Sequence, residues 1–323
     1  MEGSISSKII DKLKEKKMAL APLGIFVVLL LVGQVAAPGF AAPGNILHLL
    51  VIAVPYGIMG IGETLVILSG TEDLDFSIGA HASLAIVLGA SFLNYFSLPV
   101  VFLLVMLVGL VFGVVNGVGV RVAKVPPLIM TFGTAGMMYG TAIAYSGGAT
   151  TGEATALLEK LAVGRIGGFP ISIIIWILLT ILAMYLLHKT IYGRALYASG
   201  SNPEAAYIGG VSNTKIGIVT YALSGAFAAL AGMLILGRVG APYDYRLAAT
   251  YTLPVIAGVV LGGTNFFGGE GGYIGTIGGV LALTTLVSFL TTLQVSQAGR
   301  IFMNGVILAV ILLFYARGSE LRQ

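Results

Sequence analysis

The chain has 323 residues, of which 57% are apolar and only 9% charged, with a net charge of +4 and no cysteine; its mean hydropathy is +1.01 and its pI about 9.2. Soluble domains carry about 25% charged residues, so this composition belongs in a lipid bilayer. It excludes a disulfide framework, a thiolate metal site and a catalytic thiol, and in a membrane chain basic residues report orientation first, so nucleic acid is not an expected partner.

Apolar runs of about 20 residues recur and no alternating ten-residue pattern is present, so the fold class is all-α: a polytopic membrane helical bundle rather than a barrel. The predicted spans are 19–37, 46–69, 77–96, 98–120, 127–147, 170–188, 214–237, 249–263, 272–293 and 300–316. That is about ten transmembrane helices in a single membrane domain over 1–323. Forty-six glycines would weaken soluble helices, but in lipid small residues let backbones approach closely. The lysine-rich stretch 5–17 predicts an amphipathic helix on the membrane surface. The run 18–35 followed by small residues resembles a signal peptide, yet it exceeds the usual h-region of about 7–15 residues, which favours a retained helix. With the N-terminus inside, Lys8, Lys12, Lys14, Lys16, Lys17, Arg121, Lys124, Lys189, Arg194, Lys215, Arg317 and Arg322 are cytoplasmic, against Lys160, Arg165, Arg238, Arg246 and Arg300 outside. This asymmetry puts both termini and the segment 190–214 in the cytoplasm.

Glu63 lies inside the second span, about 9 Å from its end at 1.5 Å per residue. A charge at the bilayer centre costs about 2.5–3.5 kcal/mol on insertion scales, so Glu63 must face protein or a water-filled cavity, as a pathway residue or as a hydrogen-bonded packing residue. Three carboxylates follow between glycines, Glu72, Asp73 and Asp75. Clustered oxygens suit hard cations, but the spacing matches no calcium loop, and a metal is not expected; a helix break is, with Asp75 or Ser77 capping the next helix. His48, His81 and His188 are scattered, and no HExxH or serine-triad motif is present, so the chain is not expected to be an enzyme by itself. The motif GxxxxGK[ST] is absent, so ATP is not bound by that loop.

After the sixth span comes a polar interruption at 190–214 containing Asn202, Pro203, Glu204, Ala205, Ala206 and Gly210. Asn202 reads as an N-cap, Pro203 as the first helical residue and Gly209-Gly210 as the stop. So short a helix is marginal alone; it is either stabilised by a docking surface or an ordinary connector. The eighth span is short and runs into the glycine-rich stretch 262–272, which predicts a broken or re-entrant segment.

Several stretches carry a resemblance in order: Thr64-Leu65-Val66-Ile67-Leu68 with Leu74-Asp75-Phe76-Ser77-Ile78-Gly79; Asn116-Gly117 with Val125-Pro126-Pro127-Leu128-Ile129; Gly193-Arg194, Asn202-Pro203-Glu204-Ala205-Ala206 and Gly210-Val211; and Val259-Val260-Leu261-Gly262-Gly263-Thr264 with Gly268-Gly269 and Gly275-Thr276. Over roughly 45–316 the chain resembles the ribose-type permeases, the membrane subunits of ATP-binding-cassette importers for simple sugars and related small solutes. The resemblance implies a bacterial inner-membrane permease whose residues from Glu204 to Gly210 form a coupling helix docked on an ATPase subunit. As partners it implies a second permease chain, in a homodimer or heterodimer, the ABC ATPase subunits and an extracytoplasmic solute-binding protein. It implies no cofactor on this chain, with ATP and Mg on the ATPase. The chain departs from the family pattern at Glu63, usually apolar; in a longer loop that adds Glu72 and Asp73; at Tyr207, often arginine; and at Thr252 and Pro254, often acidic.

The expected function is therefore alternating access driven by cassette closure, with Asn202, Pro203, Glu204, Ala205, Ala206 and Gly210 receiving the stroke. Glu63, Asp75, His81, Asn116 and Asn265 are the candidate pathway residues, because polar groups in a membrane interior face a cavity or another helix. The alternatives are an importer of nucleosides, an autoinducer sugar or branched-chain amino acids, an ion-coupled carrier or channel without an ATPase, and a non-transporting scaffold, which buried acids and broken helices disfavour.

Overall fold

A computed structural model describes residues 21–300 except 71, 150 and 243, together with 302, 303, 305, 306 and 309. The surface helix predicted over 5–17 and most of the span predicted over 300–316 lie outside these residues.

The helices are α1 (Ala21–Ala36), then α2 (Pro43–Ser69), α3 (Ile78–Phe92), α4 (Leu98–Arg121), α5 (Pro127–Ser146), α6 (Ala156–Val163), α7 (Ile171–Lys189), α8 (Ile191–Ser201), α9 (Pro203–Ile208), α10 (Asn213–Val239), α11 (Thr252–Leu261) and α12 (Tyr273–Thr292). Proline in the first turn starts α2, α4 and α5, where its fixed φ suits the helix and its missing N–H is no loss. Among the described residues α2, α4, α7, α10 and α12 are long and apolar enough to cross a membrane. The chain is a multi-pass membrane protein.

One predicted span comes out shorter than expected, and the short eighth span is broken as its glycines predicted. The 77–96 span is helical only over Ile78–Phe92, and the 249–263 span is a 3-10 turn, Ala249–Tyr251, followed by the ten residues of α11. About 20 residues are needed to cross the hydrocarbon alone. Each of these helices instead meets a non-helical stretch, 72–77 before α3 and 262–272 after α11. Asp73, Leu74 and Asp75 in the first are buried, and irregular backbone at such depth is tolerated where protein encloses it. Between α5 and α7 the structure adds α6 and a two-stranded hairpin, Arg165–Ile166 with Phe169–Pro170. Both are too short and too polar to have been read as a span.

α2 and α10 form the centre, with 78% of the most apolar window of each buried, against 28% for α4. α4 lies on α10 through Gly109, Gly113 and Gly117. A Cβ on Gly113 would stand 2.7 Å from Ala222 Cα, and one on Gly117 2.6 Å from Ile218 Cα, so only glycine lets these backbones meet. The other face of α4, with Leu103, Leu107 and Val111, is exposed and suits lipid.

The helices alternate between two ends. At one, Ser69, Arg121, α8 and the 262–272 turn converge: Ser199 Oγ donates to Ser69 O at 3.2 Å and Gly269 N–H to Leu68 O at 3.2 Å. At the other, Phe40 meets Phe289 edge to face at 5.8 Å, and Ser91 and Tyr145 share a 2.8 Å hydrogen bond.

Candidate functional site

The break at 72–77 folds back beneath Glu63, so that the Asp75 N–H donates to Glu63 Oε1 at 3.4 Å. Both oxygens of the Asp75 carboxylate are bonded. Its Oδ1 accepts from the Ser77 N–H at 3.0 Å and from the Ser77 hydroxyl, and its Oδ2 accepts from Ser224 Oγ of α10 at 2.8 Å. Asn116 of α4 donates from Nδ2 to Ser77 Oγ at 2.8 Å. One turn into α3, His81 lays its ring against α10, where a Cβ on Gly225 would come within 2.8 Å of His81 Cε1. Glu63, Asp75, Asn116 and His81 are all buried. Four of the five candidate pathway residues thus share one polar cluster enclosed by α2, α3, α4 and α10, with Ser77 and Ser224 as its connecting hydroxyls.

The cluster is incompletely bonded: Glu63 Oε2, Asn116 Oδ1 and both ring nitrogens of His81 have no hydrogen-bond partner. Buried side-chain polar atoms are mostly paired, so such a group of exceptions calls for an explanation. The predicted cap of α3 takes a different form. Ser77 does occupy the cap position, but its side chain accepts no bond from the helix; it donates to Asp75 instead, because a nearby carboxylate competes successfully for the hydroxyl proton.

Asp73 and Glu72, the extra acids of this loop, part company. Asp73 forms an ion pair with Arg121 of α4, its side chain 2% exposed against 19% for the arginine, and Ser69 Oγ donates to it at 3.1 Å. Burial pushes the Asp73 carboxyl up, while the Arg121 guanidinium and the Ser69 hydroxyl pull it down. Glu72 is exposed at φ 62°, and its N–H donates to Phe266 O at 3.2 Å, tying the 72–77 break to the turn after α11.

Asn265 stands apart from the cluster. Its Oδ1 accepts from the Phe267 N–H at 3.1 Å and its Nδ2 donates to Glu270 at 3.2 Å, so it shapes the 262–272 turn. A cavity of about 190 Å³ opens elsewhere, between α2, α11 and α12, lined by His48, Tyr56, Pro254, Thr284 and Ser288 among others and by no Asp, Glu, Lys or Arg. None of the five candidate pathway residues lines it.

The polar interruption folds as two helices. Thr190 caps α8, its Oγ1 accepting from the Gly193 N–H at 3.1 Å. Asn202 caps α9, its Oδ1 accepting from the Ala205 N–H at 2.9 Å, with Pro203 first and Glu204 in the first turn. Gly210, at φ 84°, turns the chain back towards α10. Ala206 is buried against the bundle, while Tyr207 and Ile208 are 74% and 80% exposed. α8 was not legible as a helix, since its small residues carry a weak apolar period. Ser224, Ser199, Gly200 and Arg121 were likewise missed as site residues; only Arg121, a cation closing an apolar span, gave a usable signal.

The family described as branched-chain amino acid transport system / permease component matches residues 45–316. The chain is 34% identical over 303 residues to the ribose import permease protein RbsC of Bacillus subtilis (strain 168), covering 92% of each. It is 34% identical over 263 residues to the autoinducer 2 import system permease protein LsrC of Escherichia coli O9:H4 (strain HS), covering 80% of this chain and 75% of that one. The LsrC of Shigella flexneri is 35% identical over 266 residues with the same coverage. No solved structure matches. With the match spanning both helix breaks, Asp75 and the α9 segment, the chain belongs to the family of branched-chain amino acid transport system permease components.

Proposed function

We propose that the chain is the membrane-spanning subunit of an ATP-driven importer that moves a simple sugar or a related small polar solute into the cytoplasm by alternating access. The observation that carries this reading is α9: a six-residue helix, built by a full set of local signals, that presents Tyr207 and Ile208 to water at the end of the bundle where both broken helices converge. Large apolar side chains held outward on so short an element fit a protein partner, and the relatives named above are import permeases. That partner is an ATPase subunit. The nucleotide stays with it, because this chain has no phosphate-binding loop. A second permease chain completes the path, and a solute-binding protein delivers cargo at the opposite end.

The family description names branched-chain amino acids, so a zwitterionic cargo is the second reading. The cavity between α2, α11 and α12 offers an imidazole, a phenol and hydroxyls but no carboxylate, ammonium or guanidinium group, which suits a polyol better than a zwitterion. The test is uptake into proteoliposomes holding the chain with its copurifying ATPase, supplied with the solute-binding protein. ATP-dependent accumulation competed by sugars and not by leucine supports the proposal; flux driven by an ion gradient without nucleotide overturns it.

A further inference from the structure

The importer reading leaves open how displacement of α9 reaches the membrane interior. The last residues of α8 answer it by their contacts. Gly200 is wedged where no side chain fits: a Cβ there would overlap Leu68 O at the end of α2 and lie 2.6 Å from the Gly269 N. The same three strands of backbone are bonded to one another. Gly269 N–H donates to Leu68 O at 3.2 Å, Ser201 Oγ donates to Gly269 O at 3.3 Å, and Ser199 Oγ donates to Ser69 O at 3.2 Å. Tyr197 adds a bond from its hydroxyl to Gly271 O at 2.9 Å. On the far side, a Cβ on Gly268 would lie 2.7 Å from Gly70 O.

The end of α8 is therefore packed at once on the last residues of α2, which lead into the break before Asp75, and on the 262–272 turn that follows α11. Flexible side chains would absorb small displacements; backbone packed on backbone does not, since close-packed interiors transmit strain. Only Asn202 separates α8 from α9. We infer that Gly200, with Ser199 beside it, is a positioning residue for transport: a side-chain-free joint through which movement of α9 is delivered simultaneously to the cytoplasmic end of α2 and to the turn after α11. The inference rests on the importer reading and adds a route to it.

The experiment uses the full complex in proteoliposomes, comparing wild type, Gly200→Ala, Ser199→Ala and, as a control, Gly44→Ala, where an added Cβ meets nothing within 4 Å. Because the chain has no cysteine, a fluorophore on Glu72→Cys, in the loop that bonds to Phe266 O, reports motion at the joint. Wild type and Gly44→Ala are expected to show a nucleotide-dependent change in that signal. In Gly200→Ala the signal is expected to be lost and solute moved per ATP to fall about tenfold or more, within the range of ordinary coupling free energies, while the ATPase still copurifies and hydrolyses. Should Gly200→Ala fail to assemble, Ser199→Ala decides: it adds no volume and is expected to lower solute moved per ATP about two- to fivefold, and an unchanged ratio overturns the joint. Wild-type coupling and signal in Gly200→Ala overturn the inference alone, leaving the importer reading standing. Absence of ATP-dependent uptake in wild type overturns both.

Discussion

Glu63 and Asp75 are adjacent and fully buried carboxyl groups, yet the structure predicts opposite outcomes when each is made an amide. Asp75 accepts three hydrogen bonds, from the Ser77 N–H, the Ser77 hydroxyl and the Ser224 hydroxyl, and bonds to a charged acceptor contribute about 1.5–3 kcal/mol each. In Asp75→Asn the amide oxygen can keep the Ser77 donors and the amide nitrogen can donate to a rotated Ser224 hydroxyl, but three charge-assisted bonds become neutral ones; a loss of about 2–4 kcal/mol follows. Glu63 holds a single long bond at Oε1, and its Oε2 has no partner. Glu63→Gln keeps that bond and replaces a poorly bonded acid beside Asp75 by a neutral group of the same shape, so stability should change by less than about 1 kcal/mol or rise. Reversible unfolding of the purified chain in mixed micelles measures both, and uptake assays ask whether Glu63→Gln alters transport while assembly is kept. A Glu63→Gln loss above about 2 kcal/mol beside an unaffected Asp75→Asn would show that the hydrogen-bond reasoning is wrong.

Gly113→Ala should cost about 1–3 kcal/mol as an overpacked helix contact, because its Cβ would stand 2.7 Å from Ala222 Cα; an unchanged unfolding midpoint contradicts the close approach of α4 and α10. Arg121→Ala strands Asp73 in a buried site and should destabilise by about 3–5 kcal/mol, most of it recovered when Asp73→Asn is added; a double variant no better than the single one argues against the ion pair. Glu204→Lys, or Gly210→Leu at φ 84°, should leave membrane insertion intact but separate ATP hydrolysis from uptake, and unimpaired transport would count against α9 as the docking element.

Local chemistry made α9 legible in sequence. Asn202, Pro203 and Gly209 act within a few residues of one another, so their roles survive without tertiary information. The spans were legible for a similar reason, since hydrocarbon thickness imposes a length that reads directly as an apolar run. Where a non-helical stretch makes up part of the path between the two ends, that rule fails, and the 77–96 span was drawn too long. Glu63, Asp75, His81 and Asn116 were each conspicuous as polar residues among apolar ones, and the structure gathers them. Asn265 was conspicuous for the same reason but serves its own turn. Ser224 and Gly200 carry no such contrast; small residues in a glycine-rich chain acquire meaning only from what stands opposite them, Asp75 for one and Leu68 with Gly269 for the other.

The buried cluster and the α8 joint occupy one short run of chain, with Leu68 and Ser69 at the joint and Asp75 and Ser77 in the cluster. Ser69 links them further, since its carbonyl accepts from Ser199 and its hydroxyl donates to Asp73 at 3.1 Å, while Asp73 is held by Arg121. A segment gripped at both ends moves as a unit or not at all. Ser199→Ala loosens one grip and Asp75→Asn the other. Were the two ends independent, the losses in solute moved per ATP would multiply, as additivity holds for sites without shared partners. A shared rigid segment predicts that the second loss is mostly spent already: the double variant should fall short of the product by at least about twofold, an interaction of roughly 0.5 kcal/mol or more. A clean product of the two effects would mean that the cluster holds α2, α3, α4 and α10 together without receiving the movement of α9.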